Sequence, residues 1–166
     1  MTTGSGAEPI ELSFSLVNEA DAPPGIDSDD LETLAAFVLA AEGATGSWEI
    51  TVALVDDAQL QALHRDFMGI DSPTDIMTFP TDASGGEDLG GELVISVDHA
   101  VSRAGAWGFL PEDEIRFLVA HGLLHLLGWR DESDEQRQRM LERQQQLIDR
   151  WRQTSPSEPK NSYQNW

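Results

Sequence analysis

The chain has 166 residues, 40% of them hydrophobic and 24% charged, which suits one domain with a real hydrophobic core. It has no cysteine, so disulfides and thiolate-ligated metal are excluded, and no apolar run approaches the roughly 18 residues of a membrane helix. The net charge is −20, and residues 1–128 hold 3 basic side chains (Arg65, Arg103, Arg116) against 23 acidic ones, a balance that opposes nucleic-acid binding through phosphate neutralisation.

Residues 1–9, rich in Gly, Thr and Ser, are expected to form a disordered tail. They show no charged start followed by an apolar run, so the expected location is the cytoplasm. Ile10 to Val17 alternates Ile10, Leu12, Phe14 and Leu16 with polar residues, the pattern of a half-buried strand. Ser28 is the expected cap of a helix whose first turn holds Asp29, Asp30 and Glu32 and whose apolar face uses Leu31, Leu34, Ala35, Val38 and Leu39. Trp48 to Val55 is a second strand, and Asp56 or Asp57 caps a short helix reaching about Phe67. A turn-rich loop follows, then a short strand over Ile76–Pro80, a glycine-bearing acidic loop from Thr81 to Leu89, and a strand over Gly91–Val97 interrupted by Glu92.

Asp98 is the expected cap of a helix through Trp107. Pro111 and the acids Glu112, Asp113 and Glu114 open the next helix, since proline is tolerated in a first turn and acids match the dipole. From Ile115 to Leu127 that helix is apolar on nearly every face, so it should be central and buried. Ser133 to Gln136 fits a capping box for a last helix to about Trp151. Residues 129–152 hold 6 arginines and 6 acids and read as a solvated helix face or a binding surface. The expected fold is α+β, a mixed sheet of about four strands packed with helices, in one domain over 10–152 with a second loose tail at 153–166.

Chemistry concentrates in His121-Gly122-Leu123-Leu124-His125-Leu126-Leu127-Gly128-Trp129-Arg130-Asp131. Histidines four apart lie on one helical face. Gly128 can end the helix in the left-handed conformation, and the turn can swing Asp131 in as a third ligand. The spacing H-x-x-x-H-x-x-G-x-x-D is that of the zincin-type extended motif, and it predicts a metal site with three protein ligands, His121, His125 and Asp131, and an open position. A histidine pair packed in a leucine core is the competing reading, but it gives no reason for a helix stop and a carboxylate at these offsets. In a metallopeptidase the residue after the first histidine is a glutamate acting as general base; here it is Gly122.

Three blocks resemble the YbeY family of metal-dependent endoribonucleases, which act in bacterial ribosomal RNA maturation. Pro73-Thr74-Asp75-Ile76-Met77-Thr78-Phe79-Pro80 is similar to the family's Pro-Thr-Asp-Val-Leu-Ser-Phe-Pro, and Gly91 to Ser96 to its Gly-Asp-Ile-Val-Ile-Ser strand. His121 to Asp131 resembles its His-Gly-x-Leu-His-Leu-x-Gly-Tyr-Asp-His. The resemblance implies a zinc-dependent single-strand endoribonuclease, with one zinc ion per chain and ribosomal RNA and ribosomal proteins as partners. The nucleophile would be a water activated by the ion or the RNA 2′-hydroxyl.

The chain departs from the family at two places. Asp131 stands where the family has a third histidine, an acceptable ligand that puts one negative charge on the ion and weakens its Lewis acidity. Met68 stands where the family has an arginine implicated in handling RNA phosphate, with Arg65 and Arg130 as candidate substitutes. Glu92 falls where the family has a strand aspartate, and is the candidate catalytic acid for proton transfer or for orienting a ligand histidine; the alternative is an edge-strand charge facing solvent. His64 and His99 fit no ligand spacing and are expected on the surface or at caps. Thr74 and Asp75 are expected to satisfy a turn through side-chain to backbone hydrogen bonds, with a role in the site as the alternative, since their loop belongs to the resemblance. Two rival functions remain: a metallopeptidase, and a non-catalytic ribosome-associated protein that keeps its metal for stability.

Overall fold

The computed structural model describes residues 10–81 and 89–154. The expected tail at 1–9, the acidic loop from 82 to 88 and the last twelve residues of the tail at 153–166 lie outside them. The elements run β1 (Glu11–Asn18), α1 (Ser28–Ala41), β2 (Ser47–Val55), α2 (Asp57–Met68), β3 (Ile76–Pro80), β4 (Leu89–Ser96), α3 (Val97–Trp107), α4 (Pro111–Leu126) and α5 (Asp134–Thr154). The strands form one mixed sheet in the order β1-β2-β4-β3, parallel except for β3, which runs antiparallel to β4 at the end of that order. Five helices around a four-stranded mixed sheet give the α+β class expected from the sequence.

Strand alternation divides the core. Ile50, Val52, Leu54, Leu93 and Ile95 meet α1, α4 and α5 on one face, while Ala53, Val55, Met77 and Val94 meet Leu60 of α2 on the other. Helix α4 is the central one. Ile115, Val119, Ala120, Leu123 and Leu124 are fully enclosed in the main core, and removing any large one of them would leave a cavity.

Several helix starts differ from expectation by one or two residues. Asp27, not Ser28, caps α1 by accepting from Asp30 N at 2.8 Å. Ser96, not Asp98, caps α3, its Oγ accepting from His99 N at 3.1 Å. Both are strong capping residues, and the chain uses whichever is extended when the helix begins. Asp56 and Gln59 form a reciprocal box at α2, and Ser133 and Gln136 form the one expected at α5. Helix α5 continues to Thr154, into the expected tail.

The acids opening α4 do more than match its dipole. Asp113 accepts from Arg116 Nη1 at 3.1 Å and from Arg152 Nη2 at 2.8 Å, and Arg116 also reaches Asp30 at 3.0 Å. This buried network ties the start of α4 to α1 and α5, so breaking one member would leave a buried charge uncompensated.

Candidate metal centre

Helix α4 ends in a Schellman motif that brings the third ligand candidate back over the helix. Gly128 takes φ 102°. Gly128 N donates to His125 O at 3.0 Å, and Trp129 N donates to Leu124 O at 2.9 Å. The reversed chain is pinned from both sides: Trp129 Nε1 donates to Glu42 Oε1 at 2.9 Å, and Arg143 Nε holds the other Glu42 oxygen at 2.6 Å. Two residues beyond Trp129, Asp131 places Oδ2 at 3.6 Å from His121 Nε2 and 3.4 Å from His125 Nε2, with the two Nε2 atoms 3.1 Å apart. His121, His125 and Asp131 are the group found among the described residues that could hold a metal ion.

The donor chemistry fits a cation. His125 Nδ1 lies 3.1 Å from Trp129 O. A carbonyl only accepts, so Nδ1 carries the hydrogen, and a neutral ring in that tautomer presents a bare Nε2 inward. His121 Nδ1 lies 2.8 Å from Gln144 Oε1, which turns its Nε2 inward in the same way. Two lone pairs and a carboxylate oxygen then face one another with no hydrogen among them, an arrangement that needs a cation at its centre. Ligand atoms at about 2.0–2.1 Å from one tetrahedral zinc stand about 3.3–3.4 Å apart, close to the spacings observed. Burial holds His121 below the ordinary histidine range, against the Gln144 hydrogen bond and the Asp131 charge, which favour protonation. The ring is thereby kept neutral, as a ligand must be.

The three residues open into a cleft of about 660 Å³, walled by edge strand β3 with its lead-in Thr74 and Asp75, and by His64, Phe67 and Met68 of α2. His64 is therefore at the cleft, its Nδ1 2.9 Å from Ser72 O, whereas His99 sits away from it, 3.8 Å from Asp57. Asp75 does not close a turn through its side chain as expected; its carboxylate accepts from Arg103 Nη2 at 3.0 Å, which fixes the cleft wall to α3. Phe67 is 66% exposed and meets Phe79 edge to face at 5.4 Å. None of the described cleft-lining residues is Arg or Lys. Arg65 pairs with Asp66 and Arg130 with Glu132, both in solvent, and neither is among the described residues that line the cleft.

Glu92 is not brought to the site. Its neighbours Gly91 and Leu93 face α4: a Cβ at Gly91 would stand 2.8 Å from Leu126 Cδ2, and Leu93 packs under Gly122. Glu92 alternates to the opposite face, beside Phe79 in register, and is exposed there. The solvent-facing alternative describes its placement, although β4 is an interior strand. Two site residues were missed from sequence, Arg103 and Gln144. Arg103 gave no signal. Gln144 gave one, since a polar residue stands on the apolar stripe Met140, Leu147, Ile148 and Trp151.

Gly122 shows why no glutamate follows the first histidine. A Cβ there would stand 2.6 Å from Leu93 Cδ2 and 3.1 Å from Ile76 Cδ1. Gly122→Glu should therefore destabilise the fold by at least about 3 kcal/mol, through overpacking and an unpaired buried carboxylate, and should install no peptidase activity. Denaturant unfolding checks the first, and casein hydrolysis the second. A stable, proteolytic variant would restore the peptidase reading.

A family model described as Endoribonuclease YbeY matches residues 16–152. Among curated proteins, the chain is 38% identical over 122 residues to an endoribonuclease YbeY of Moorella thermoacetica, covering 67% of this chain and 78% of that one. It is 32% identical over 152 residues to the Geobacillus kaustophilus protein of the same name, covering 86% and 97%. The solution structure of TM1509 from Thermotoga maritima shares the fold, with a TM-score of 0.53 at 23% identity over 88% of this chain and 99% of that one.

Proposed function

The chain belongs to the YbeY family of endoribonucleases, and on that premise we propose that it is a zinc-dependent endoribonuclease acting on single-stranded ribosomal RNA in the cytoplasm. The observation that carries the metal is the meeting of three ligand atoms, from His121, His125 and Asp131, at one end of an open cleft. A zinc ion held there would supply Lewis acidity at a phosphoryl oxygen. The chain's own part is to hold those donors: Trp129 O and Gln144 Oε1 orient the two rings, and the turn pinned by Glu42 holds Asp131 over them.

The cleft also bears on the choice of substrate. With no Lys or Arg among the described residues that line it, the cleft offers the phosphate backbone little charge neutralisation. The exposed faces of Phe67 and Met68 at the rim suit unpaired bases that can be splayed out and stacked. None of the described helices is long and apolar enough to cross a membrane, in keeping with this reading.

The test is elemental analysis of protein purified without added metal, paired with cleavage of a single-stranded RNA and its duplex form. About one zinc per chain and cleavage of the single strand alone are expected; metal-loaded protein that cuts neither RNA would overturn the reading. Asp131→His is expected to keep the zinc and not to reduce cleavage, since it removes one negative charge from the donor set at the same vertex. Zinc content and the pH dependence of cleavage in both forms check this; loss of zinc from the histidine form would count against the electrostatic argument.

A further inference from the structure

Helix α5 buries Met140, Leu147, Ile148 and Trp151 against the core, and in the same stripe it buries one amide, Gln144, which is 1% exposed. A buried primary amide is costly unless its groups are hydrogen-bonded. Both of its ends are used. Gln144 Nε2 donates to Phe117 O at 3.4 Å, and Oε1 stands 2.8 Å from His121 Nδ1.

The two contacts are linked. Phe117 O is a carbonyl and can only accept, so it draws the NH₂ end of the amide and leaves the oxygen for the histidine. Turning the amide over would set Oε1 against the Phe117 carbonyl. With the oxygen presented, the neutral His121 ring must carry its hydrogen on Nδ1 and its lone pair on Nε2, which is the atom turned toward His125 and Asp131.

We infer that Gln144 is a positioning residue for the metal centre: anchored by the Phe117 carbonyl, its amide oxygen fixes the Nδ1–H tautomer and the orientation of His121, so that α5 presets a ligand carried by α4. This rests on the metal reading above. Partners of this kind on ligating histidines commonly change metal affinity by about 10–100-fold when lost.

The test combines zinc affinity, measured by competition with a chromophoric chelator, with nitrogen-15 spectra of the imidazoles in metal-free protein. Gln144→Leu removes the acceptor at similar volume and should weaken zinc binding by about 10–100-fold. Gln144→Glu keeps an acceptor oxygen for His121 but gives up the donor to Phe117 O, so it should recover part of the loss and bind zinc more tightly than the leucine form. The native metal-free protein should show His121 with its hydrogen on Nδ1, a readout that does not depend on any variant folding.

Native zinc affinity in Gln144→Leu, no recovery in Gln144→Glu, or an Nε2–H tautomer of His121 in the native protein would each overturn the inference. Failure of the metal reading looks different, because the native protein would then bind no zinc, or would keep it when both histidines are replaced. The tautomer measurement decides the part played by Gln144 in that case as well.

Discussion

Replacing His121 and His125 together by alanine is expected to abolish stoichiometric zinc binding and to lower RNA cleavage by at least about 10³-fold. Both donors are removed because a single loss leaves His or Asp donors to which an ion can still cling. Lewis acidity at a phosphoryl oxygen contributes several kcal/mol of transition-state stabilisation, and each 1.36 kcal/mol is about tenfold in rate. The fold should survive. Both rings are only partly buried, at 20% and 28% exposure of the side chain, and alanine is the best helix former. Their partners are a solvent-near turn carbonyl and the Gln144 amide, so circular dichroism should report a native helix content. Zinc is counted by elemental analysis and cleavage followed on one single-stranded RNA. A double variant that still holds one ion per chain would remove His121 and His125 from the metal site.

Met68→Arg is expected to raise cleavage of single-stranded RNA by about tenfold or more. Met68 closes α2 at the cleft, is 61% exposed, and precedes Gly69 with its left-handed φ of 72°. An arginine there suits the negative end of the helix dipole and needs no repacking. Its guanidinium gives two parallel hydrogen bonds to a phosphate, which methionine cannot make. A preorganised donor at developing charge is commonly worth about 10²–10³ in rate, and exposure at the cleft rim reduces that. One added phosphate contact should also steepen the log–log salt dependence of binding by about 0.7 for a single strand. Arg65→Ala should change little, because Arg65 is paired with Asp66 in solvent and is not among the described residues that line the cleft. Equal cleavage in native and Met68→Arg protein, both zinc-loaded, would mean that position 68 does not meet phosphate. No cleavage by either form would favour the metal-bearing, non-catalytic protein.

How much of this was legible in the sequence depends on the distance over which each feature is determined. The clustering of His121, His125 and Asp131 was readable because it is built within eleven residues. Helical pitch stacks the histidines, a left-handed Gly128 reverses the chain, and backbone hydrogen bonds set both. The same local physics gave the box at Ser133–Gln136 and the alternation of β1. Four features instead required the tertiary structure: the face of β4 that meets α4, which sends Glu92 away from the cleft; the place of His64 in the cleft wall; the pairing of Arg103 with Asp75; and the contact of Gln144 with His121. Strand alternation says that Gly91 and Glu92 point to opposite faces but not which face a helix will cover. Partners 23 and 28 residues apart meet only once helices and sheet have settled into one packing register. Short-range backbone geometry therefore wrote the candidate ligands into the sequence, while long-range packing chose the residues that hold and surround them.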